Sequence, residues 1–447
     1  MRIPAGPPDF DSLIRLFVRS ENSPRLKAIL DARIAPVQDG RYRHWDTVRR
    51  LTPPQGLSHD EWWFGIKLAR GPMLKPLPLL DGQGGPIRVA MPDPAQEMAN
   101  LVDRSASGLT EISEQMTNPE IRDRYLVRFL MEEAITSSQL EGASTTTAVA
   151  KEMLRTGRKP RDVGERMILN NYEAIRMMRA LRKEPLTPSR VLDLHRILTR
   201  ETPVNLDAAG RLRTRHEHII VTDERENVLH TPPKAEELES RLAALCEFAN
   251  GAPTTPFLHP VVRAIVVHFG LAYDHPFVDG NGRTARALFY WCMLAQGYWL
   301  SEYVSLSRLI KAAPAKYARA FRYCETDGND VTYFVLNQLG VILSAFEELH
   351  EYLTAKAAEL RETERLLRRA EGLNHRQLAL LGHALRHADA RYSIASHRRS
   401  HDVVYETART DLLDLEKRGY MRKTKIGRAL CFIPSPALAP RGRARPR

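Results

Sequence analysis

Cysteine is scarce in this 447-residue chain: four residues, at 246, 292, 324 and 431, none at a metal-binding spacing. Such usage suits a reducing cytosol and argues against a secreted disulfide scaffold. Long hydrophobic runs are missing too. No apolar stretch approaches membrane-spanning length, and the first residues carry Pro4 and Asp9 where a signal peptide would be basic and then apolar. The expectation is a cytoplasmic protein with no membrane association. Gly-x-x-x-x-Gly-Lys-Ser/Thr and the kinase signatures are absent. His259, His268 and His275 invite a zinc assignment, but no carboxylate or cysteine at ligand spacing completes a set.

What is present is ordinary in bulk and uneven in detail. Apolar content of 43% and charged content of 27% describe a globular protein long enough for two or three domains. The formal charge is +12, and from residue 371 onward 16 Lys/Arg stand against 7 Asp/Glu, which places +9 of that total in the last sixth of the chain. The basic character belongs mainly to a C-terminal module.

The richest stretch in chemistry is His275-Pro-Phe-Val-Asp-Gly-Asn-Gly-Arg-Thr-Ala-Arg286. Before it, Val262, Ile265, Val266, Phe269 and Ala272 recur at helical spacing; after it, residues 287–296 are again apolar and periodic, with Gly297 as a stop. The motif is therefore a short loop between two helices, its last turn opening the second. Gly280 and Gly282 flank Asn281, so the loop can turn sharply and bring backbone N–H groups to a ligand. Arg283 and Arg286 fall three apart in the first turn, on one face. Positive charge there opposes the helix dipole unless an anion offsets it, and polyphosphate is the natural candidate. Asp279 could hold Mg²⁺ beside phosphate oxygens, His275 could serve as a general base, and Phe277 points to the core.

His-x-Phe-x-Asp-Gly-Asn-Gly-Arg-x-x-Arg matches without a gap the signature of Fic-domain proteins, which this chain resembles. The resemblance implies transfer of AMP from ATP to a protein hydroxyl. It makes His275 the base, gives Asp279 the Mg²⁺, builds the anion hole from Gly280, Asn281 and Gly282, and places Arg283 on the phosphate chain and Arg286 on the γ-phosphate. Upstream, Thr136-Ser-Ser-Gln-Leu-Glu-Gly142 ends a helix at Gly142, with Ser137 and Glu141 four apart on one face. Within the resemblance this is the inhibitory Ser-x-x-x-Glu-Gly motif, whose glutamate pairs with Arg286, expected as a bidentate ion pair, and blocks the γ-phosphate.

The expected fold class is mainly α: a helical core with a small β-hairpin flap, plus a C-terminal winged-helix module. Residues 1–95 read as a separate N-terminal module, with a capping box at Ser58 and Glu61 leading a helix whose Trp62 and Trp63 are core, and a short strand near Pro86–Met91. Residues 96–350 form the Fic core. His218–Thr222 and Val228–Thr231 read as a hairpin resembling the flap that clamps a target's extended segment, and Gly210 and Arg213 fit its usual lead-in. Residues 351–371 read as a helical spacer, 372–434 as a winged helix-turn-helix, and 435–447 as a disordered basic tail. In the third helix of that module Tyr405, Glu406, Thr407, Arg409 and Thr410 face outward, with Lys423, Lys425 and Arg428 placed for phosphate contacts if the partner is DNA. The alternative is a module for homodimerisation or target docking. Two other functions compete with transfer: removal of AMP with Glu141 orienting a water, and a DNA-binding regulator whose Fic core only senses nucleotide.

Overall fold

Local rules account for most helix ends. The computed structural model describes every residue except 1–2, 55, 107–118, 203–205, 223–225, 252–256, 370–371, 387–389, 427–428 and 436–447. Of the expected tail, 436–447 lie outside the described residues, as does Arg428, while Ser435 is buried and donates to the Gly419 carbonyl at 2.6 Å. At Ser58 both halves of the capping box form, and helix His59–Arg70 follows, with Trp62 and Trp63 buried. Thr146, Asp162 and Thr187 each cap a helix by accepting from the backbone N–H three residues on. Helices Pro119–Leu140 and Asn281–Ala295 both stop on paired backbone bonds around a left-handed glycine, Gly142 and Gly297.

Contacts divide the chain into two units, Met1–His350 and Glu351–Arg447, with helix Thr332–Arg369 carrying the backbone across the boundary. In the first unit, helix Pro260–Asp274 is buried on nearly every side, from Val261 and Val262 to Leu271, as a helix does at the centre of a core. Helix Asn281–Ala295 lies against it, and helices Pro119–Leu140, Val163–Ala180, Pro188–Leu198 and Leu238–Asn250 surround the pair. Among the described residues, sheet is confined to three two-stranded antiparallel ribbons, and no helix is long and apolar enough to cross a membrane. The flap is one of these ribbons, Val221–Thr222 against Val228–His230, shorter than its β-prone residues suggest.

The expected break near residue 95 is not where the contacts divide, and long-range polar bonds explain why. Arg70, fully buried, donates to the carbonyls of Pro36 and Arg43 at 2.9 Å each and to the Tyr333 hydroxyl at 2.8 Å, while its guanidinium lies 3.5 Å from the ring centre of Tyr42. Tyr42 donates to Asp330 at 2.6 Å, Tyr333 donates to Asp327 at 2.7 Å, and the Lys67 ammonium meets Asp327 at 2.7 Å. Strand Pro86–Val89 also touches the same loop, where Arg88 exchanges backbone bonds with Asn329 and Val331. The N-terminal segment is thus stitched to residues 327–333.

In the second unit, helices His375–Arg386, Ile394–His401 and Tyr405–Lys417 precede the antiparallel strands Met421–Ile426 and Ala429–Pro434, and Tyr392 bridges Phe432 as a third short edge. Leu380, Leu381, Leu412, Leu415, Met421 and Phe432 form its core. At its centre Asp411 accepts from Asn374 at 2.7 Å, Arg376 at 2.8 Å and His397 at 3.2 Å. Burial pushes that carboxyl up, but these donors outweigh it and hold it below its ordinary value.

Arg70→Met keeps most of the side-chain volume but leaves two carbonyls and a tyrosine without their donor. Denaturant unfolding of the full chain should show a loss of about 3 kcal/mol, in the range for breaking a buried charged cluster from one side; a loss under about 0.5 kcal/mol would mean that Arg70 does not hold the segment.

Candidate functional site

The loop 275–280 is held by its own side chains before any ligand enters. Asn281, the first residue of its helix, bonds back across the loop: its Oδ1 accepts from the Phe277 N–H at 2.9 Å and its Nδ2 donates to the Phe277 carbonyl at 2.8 Å. Its side chain is therefore a clasp, and only its backbone remains for an anion. Gly280 sits at φ +79°, in the left-handed region that glycine adopts without strain. A β-carbon on Gly282 would overlap the Glu141 carboxylate, so this glycine permits the close approach of helix Pro119–Leu140.

His275 ends the upstream helix with φ +44°, a conformation uncommon outside glycine, asparagine and aspartate and often found at functional positions. Two neighbours hold it there: its N–H donates to Leu271 at 3.0 Å, and its carbonyl accepts from Arg213 Nε at 3.0 Å. Arg213 also takes the Pro276 carbonyl on its backbone N–H at 2.9 Å and donates to the Pro233 carbonyl, so it ties the lead-in, the loop and the base of the flap together. The His275 Nδ1 lies 3.2 Å from the Ala272 carbonyl. A carbonyl only accepts, so Nδ1 carries the proton and Nε2 keeps a free lone pair. Burial lowers the imidazole pKa below its usual value, which leaves the ring neutral near pH 7.

One residue of the site was missed at the level of sequence. His195, in helix Pro188–Leu198, stacks on Phe277 with ring centres 3.7 Å apart and planes 7° from parallel. Its Nδ1 accepts from the Gly210 N–H at 3.0 Å, so its Nε2 must carry the proton that it donates to the Asp279 carbonyl at 2.9 Å. Burial pushes this imidazole down to about 4, so it stays uncharged and the loop keeps one donor and one acceptor in fixed places. Nothing in its local pattern marks it; its partners are 15 and 84 residues away.

The two arginines diverge, contrary to the expectation of one shared face. Arg283, fully buried, donates from Nη1 to the Leu198 carbonyl at 2.9 Å and from Nη2 to Asp279 Oδ2 at 2.9 Å. Arg286 turns to helix Pro119–Leu140 instead: its Nε donates to Ser137 Oγ at 2.9 Å, and its Nη2 to the Ser137 carbonyl at 3.0 Å and to Glu141 Oε1 at 2.9 Å. The Glu141–Arg286 pair is thus single-toothed rather than bidentate, with Ser137 taking Nε and sharing Nη2. Each arginine has a carboxylate, which answers the charge placed against the helix dipole. Glu141 is likewise an anion at the C-terminal end of its own helix, the unfavourable end, and Arg286 compensates it.

Asp279 is half exposed and uses one oxygen on Arg283, leaving the other for a ligand. Among the described residues no three His, Cys, Asp or Glu side chains gather as a metal cage. One free carboxylate oxygen beside a polyphosphate suits Mg²⁺, which takes one or two carboxylates and completes its shell from phosphate and water. Beside His275, Gly282 and Arg286 opens a cavity of about 260 Å³, walled by Tyr273, Tyr317 and Phe321, with Val221, Leu229 and His230 of the flap across it. Helix Pro314–Thr326 holds that flap: Arg322 donates to the Leu229 carbonyl, and His230 Nδ1 lies 2.8 Å from Glu325.

Comparison with known proteins agrees with this geometry. Residues 185–293, which contain His195, Gly210, Arg213 and the whole loop motif, match the model of the Fic/DOC family. The chain is 27% identical over 209 residues to protein adenylyltransferase Fic of Nematostella vectensis, an overlap covering 45% of this chain and 46% of that one. It is 28% identical over 183 residues to protein adenylyltransferase fic-1 of Caenorhabditis elegans, covering 40% and 33%. The chain therefore spans under half the length of these curated relatives. Among solved structures, a Fic family protein from Desulfovibrio desulfuricans superposes with a TM-score of 0.55 over 79% of this chain and 98% of that one, at 18% identity, a likeness of fold. Residues 185–293, the segment that carries the loop motif, thus resemble a Fic/DOC domain.

Proposed function

We propose that this protein transfers AMP from ATP to a hydroxyl side chain of a target protein, and that Glu141 restrains the transfer. The observation that carries the proposal is the free Nε2 of a neutral His275 at the mouth of a cavity that also presents Arg286. The relatives' names, protein adenylyltransferase, point the same way. His275 would take the proton of the attacking Ser, Thr or Tyr hydroxyl as its oxygen bonds to the α-phosphorus and pyrophosphate leaves. The backbone of residues 280–282 and Arg283 would receive phosphate oxygens, and Arg286 the γ-phosphate, once Glu141 gives way. Bound with the nucleotide at Asp279, Mg²⁺ would offset charge on the phosphates. Tyr273, Tyr317 and Phe321 offer the apolar wall that a nucleobase needs.

A second proposal concerns the C-terminal unit, which would bind DNA as a winged helix-turn-helix. Arg398, Arg399 and Arg409 are exposed on its second and third helices, and Arg422, Lys423 and Lys425 on its first strand. Val404, 71% exposed, and Tyr405, 50% exposed, start the third helix, where base edges would be met.

The pH profile of transfer tests His275. Since its pKa lies below the ordinary 6.5, the base form persists at neutrality, and kcat/KM should fall only below pH 6.5. His275→Ala should keep ATP affinity while losing labelling by at least about a hundredfold. Labelling at the parent's level would remove His275 from the reaction.

Glu141→Gly frees Arg286 for phosphate. With ATP labelled at the α-phosphate, it should label itself or lysate proteins about 10–100-fold more than the wild type, the span for losing one hydrogen bond between charged groups. Adding Arg286→Ala should abolish the gain. If Glu141→Gly instead loses an AMP-removing activity that the wild type has, the enzyme is a hydrolase of AMP-modified protein.

For the full chain on random duplex DNA, affinity should drop about a thousandfold between 50 and 200 mM salt if some six phosphates are contacted. Salt-independent or absent binding would leave protein docking as the use of this unit.

A further inference from the structure

Below the Glu141–Arg286 pair lies a second buried carboxylate. Glu133 precedes Ser137 by four residues on one face of helix Pro119–Leu140, and Glu141 follows just past the helix end. Glu133 is 3% exposed, and no arginine or lysine bonds to it among the described residues. Its Oε2 accepts from Ser305 Oγ at 2.9 Å and from the Ser307 N–H at 3.1 Å, and its Oε1 accepts from Ser307 Oγ. One turn on, Thr136 Oγ1 shares a hydrogen bond with the same Ser305 hydroxyl at 3.1 Å. The segment that supplies these donors is itself fastened to the helix that bears Arg286. Tyr290, one turn beyond Arg286, donates to the Val304 carbonyl at 3.1 Å and accepts from the Leu306 N–H at 2.9 Å.

The Arg286 charge is near enough to favour this carboxylate, but its hydrogen bonds come from neutral donors, and a buried carboxylate is costly unless each stays in place. Residues 304–307 thus join two helices, one through Tyr290 and one through Glu133 and Thr136. Shifting helix Pro119–Leu140 by even part of a turn would strand the Glu133 charge. We propose that Glu133 is the positioning residue of the inhibitory contact: it sets the register of helix Pro119–Leu140 against helix Asn281–Ala295, so that Ser137 and Glu141 meet Arg286. Release would then require only the Glu141 side chain to swing, with the helix left docked. The assignment deepens the adenylyl-transfer proposal and rests on it for its activity readout, but not for its structural one.

Glu133→Gln keeps the shape and removes the charge. In the full chain, hydrogen exchange should quicken selectively at residues 133–142 while residues 260–274 stay protected. Basal labelling from α-phosphate-labelled ATP should rise about tenfold, the effect of weakening one charge-assisted bond. On the Glu141→Gly background the same substitution should add nothing, since there is no pair left to position. A general structural role would instead lower labelling on both backgrounds. Ser307→Ala, which removes one donor and leaves the charge, should give a smaller change in the same direction and covers the case in which Glu133→Gln folds poorly. Exchange at 133–142 unchanged in both variants, or quickened equally throughout the chain, overturns the assignment. So does Glu133→Gln labelling at the wild-type level while Glu141→Gly is activated, an outcome that leaves the transfer proposal standing. Failure of Glu141→Gly to activate, with selective exchange still seen, overturns the transfer proposal and leaves the positioning role.

Discussion

A guanidinium removed from water must be answered by acceptors, and much of the structure around the loop motif is arranged to meet that requirement at Arg286. The side chain is buried in the second turn of helix Asn281–Ala295, away from water. Its acceptors come from one place, the end of helix Pro119–Leu140, which lies about 150 residues earlier in the chain. To bring them within reach the structure uses a bare glycine at 282, a left-handed stop at Gly142, and the tie through residues 304–307. On the proposed reading the same demand would make the site convertible: an anion better matched to the guanidinium than one glutamate oxygen would take its place.

The loop beside it obeys a different constraint, that of a rigid turn with its polar groups already spent. Asn281 closes the loop on Phe277, His195 supports it from below, and Arg213 fixes the backbone of His275 and Pro276. These bonds leave the His275 imidazole with one predetermined tautomer and a free nitrogen. On the proposed reading, a base presented this way would lose little freedom when substrate arrives, and a short loop could act with the precision of a helix.

Legibility in the sequence followed the range of the forces involved. The helices on either side of the motif, the stops at Gly142 and Gly297, the capping box at Ser58 and the buried tryptophans all rest on contacts within a few residues, and periodicity or composition reveals them. The ribbon at Val221–His230 was visible as a β-prone run, but its length was not, since pairing in so short a hairpin depends on the helix beneath it. Arg70 closes a helix in the sequence with nothing local to mark it as interior, and its partners, Pro36, Tyr42, Arg43 and Tyr333, all lie far from it in the chain. His195 was invisible for the same reason. The divergence of Arg283 and Arg286 could not be seen either, because spacing states which face a side chain leaves from and not which acceptor it finds.

The crowding at Gly282 has a thermodynamic consequence. If, as proposed, Glu141 and an anion compete for Arg286, their occupancies are linked, and linkage is reciprocal. Whatever strengthens the Glu141–Arg286 pair would then weaken anion binding by the same factor as the anion weakens the pair. The affinity measured for a nucleotide would then be its intrinsic affinity scaled by the fraction of molecules whose glutamate has already moved away. A remote event that changed that fraction, without touching the loop, would alter the concentration at which the site fills and leave the chemistry within it unchanged.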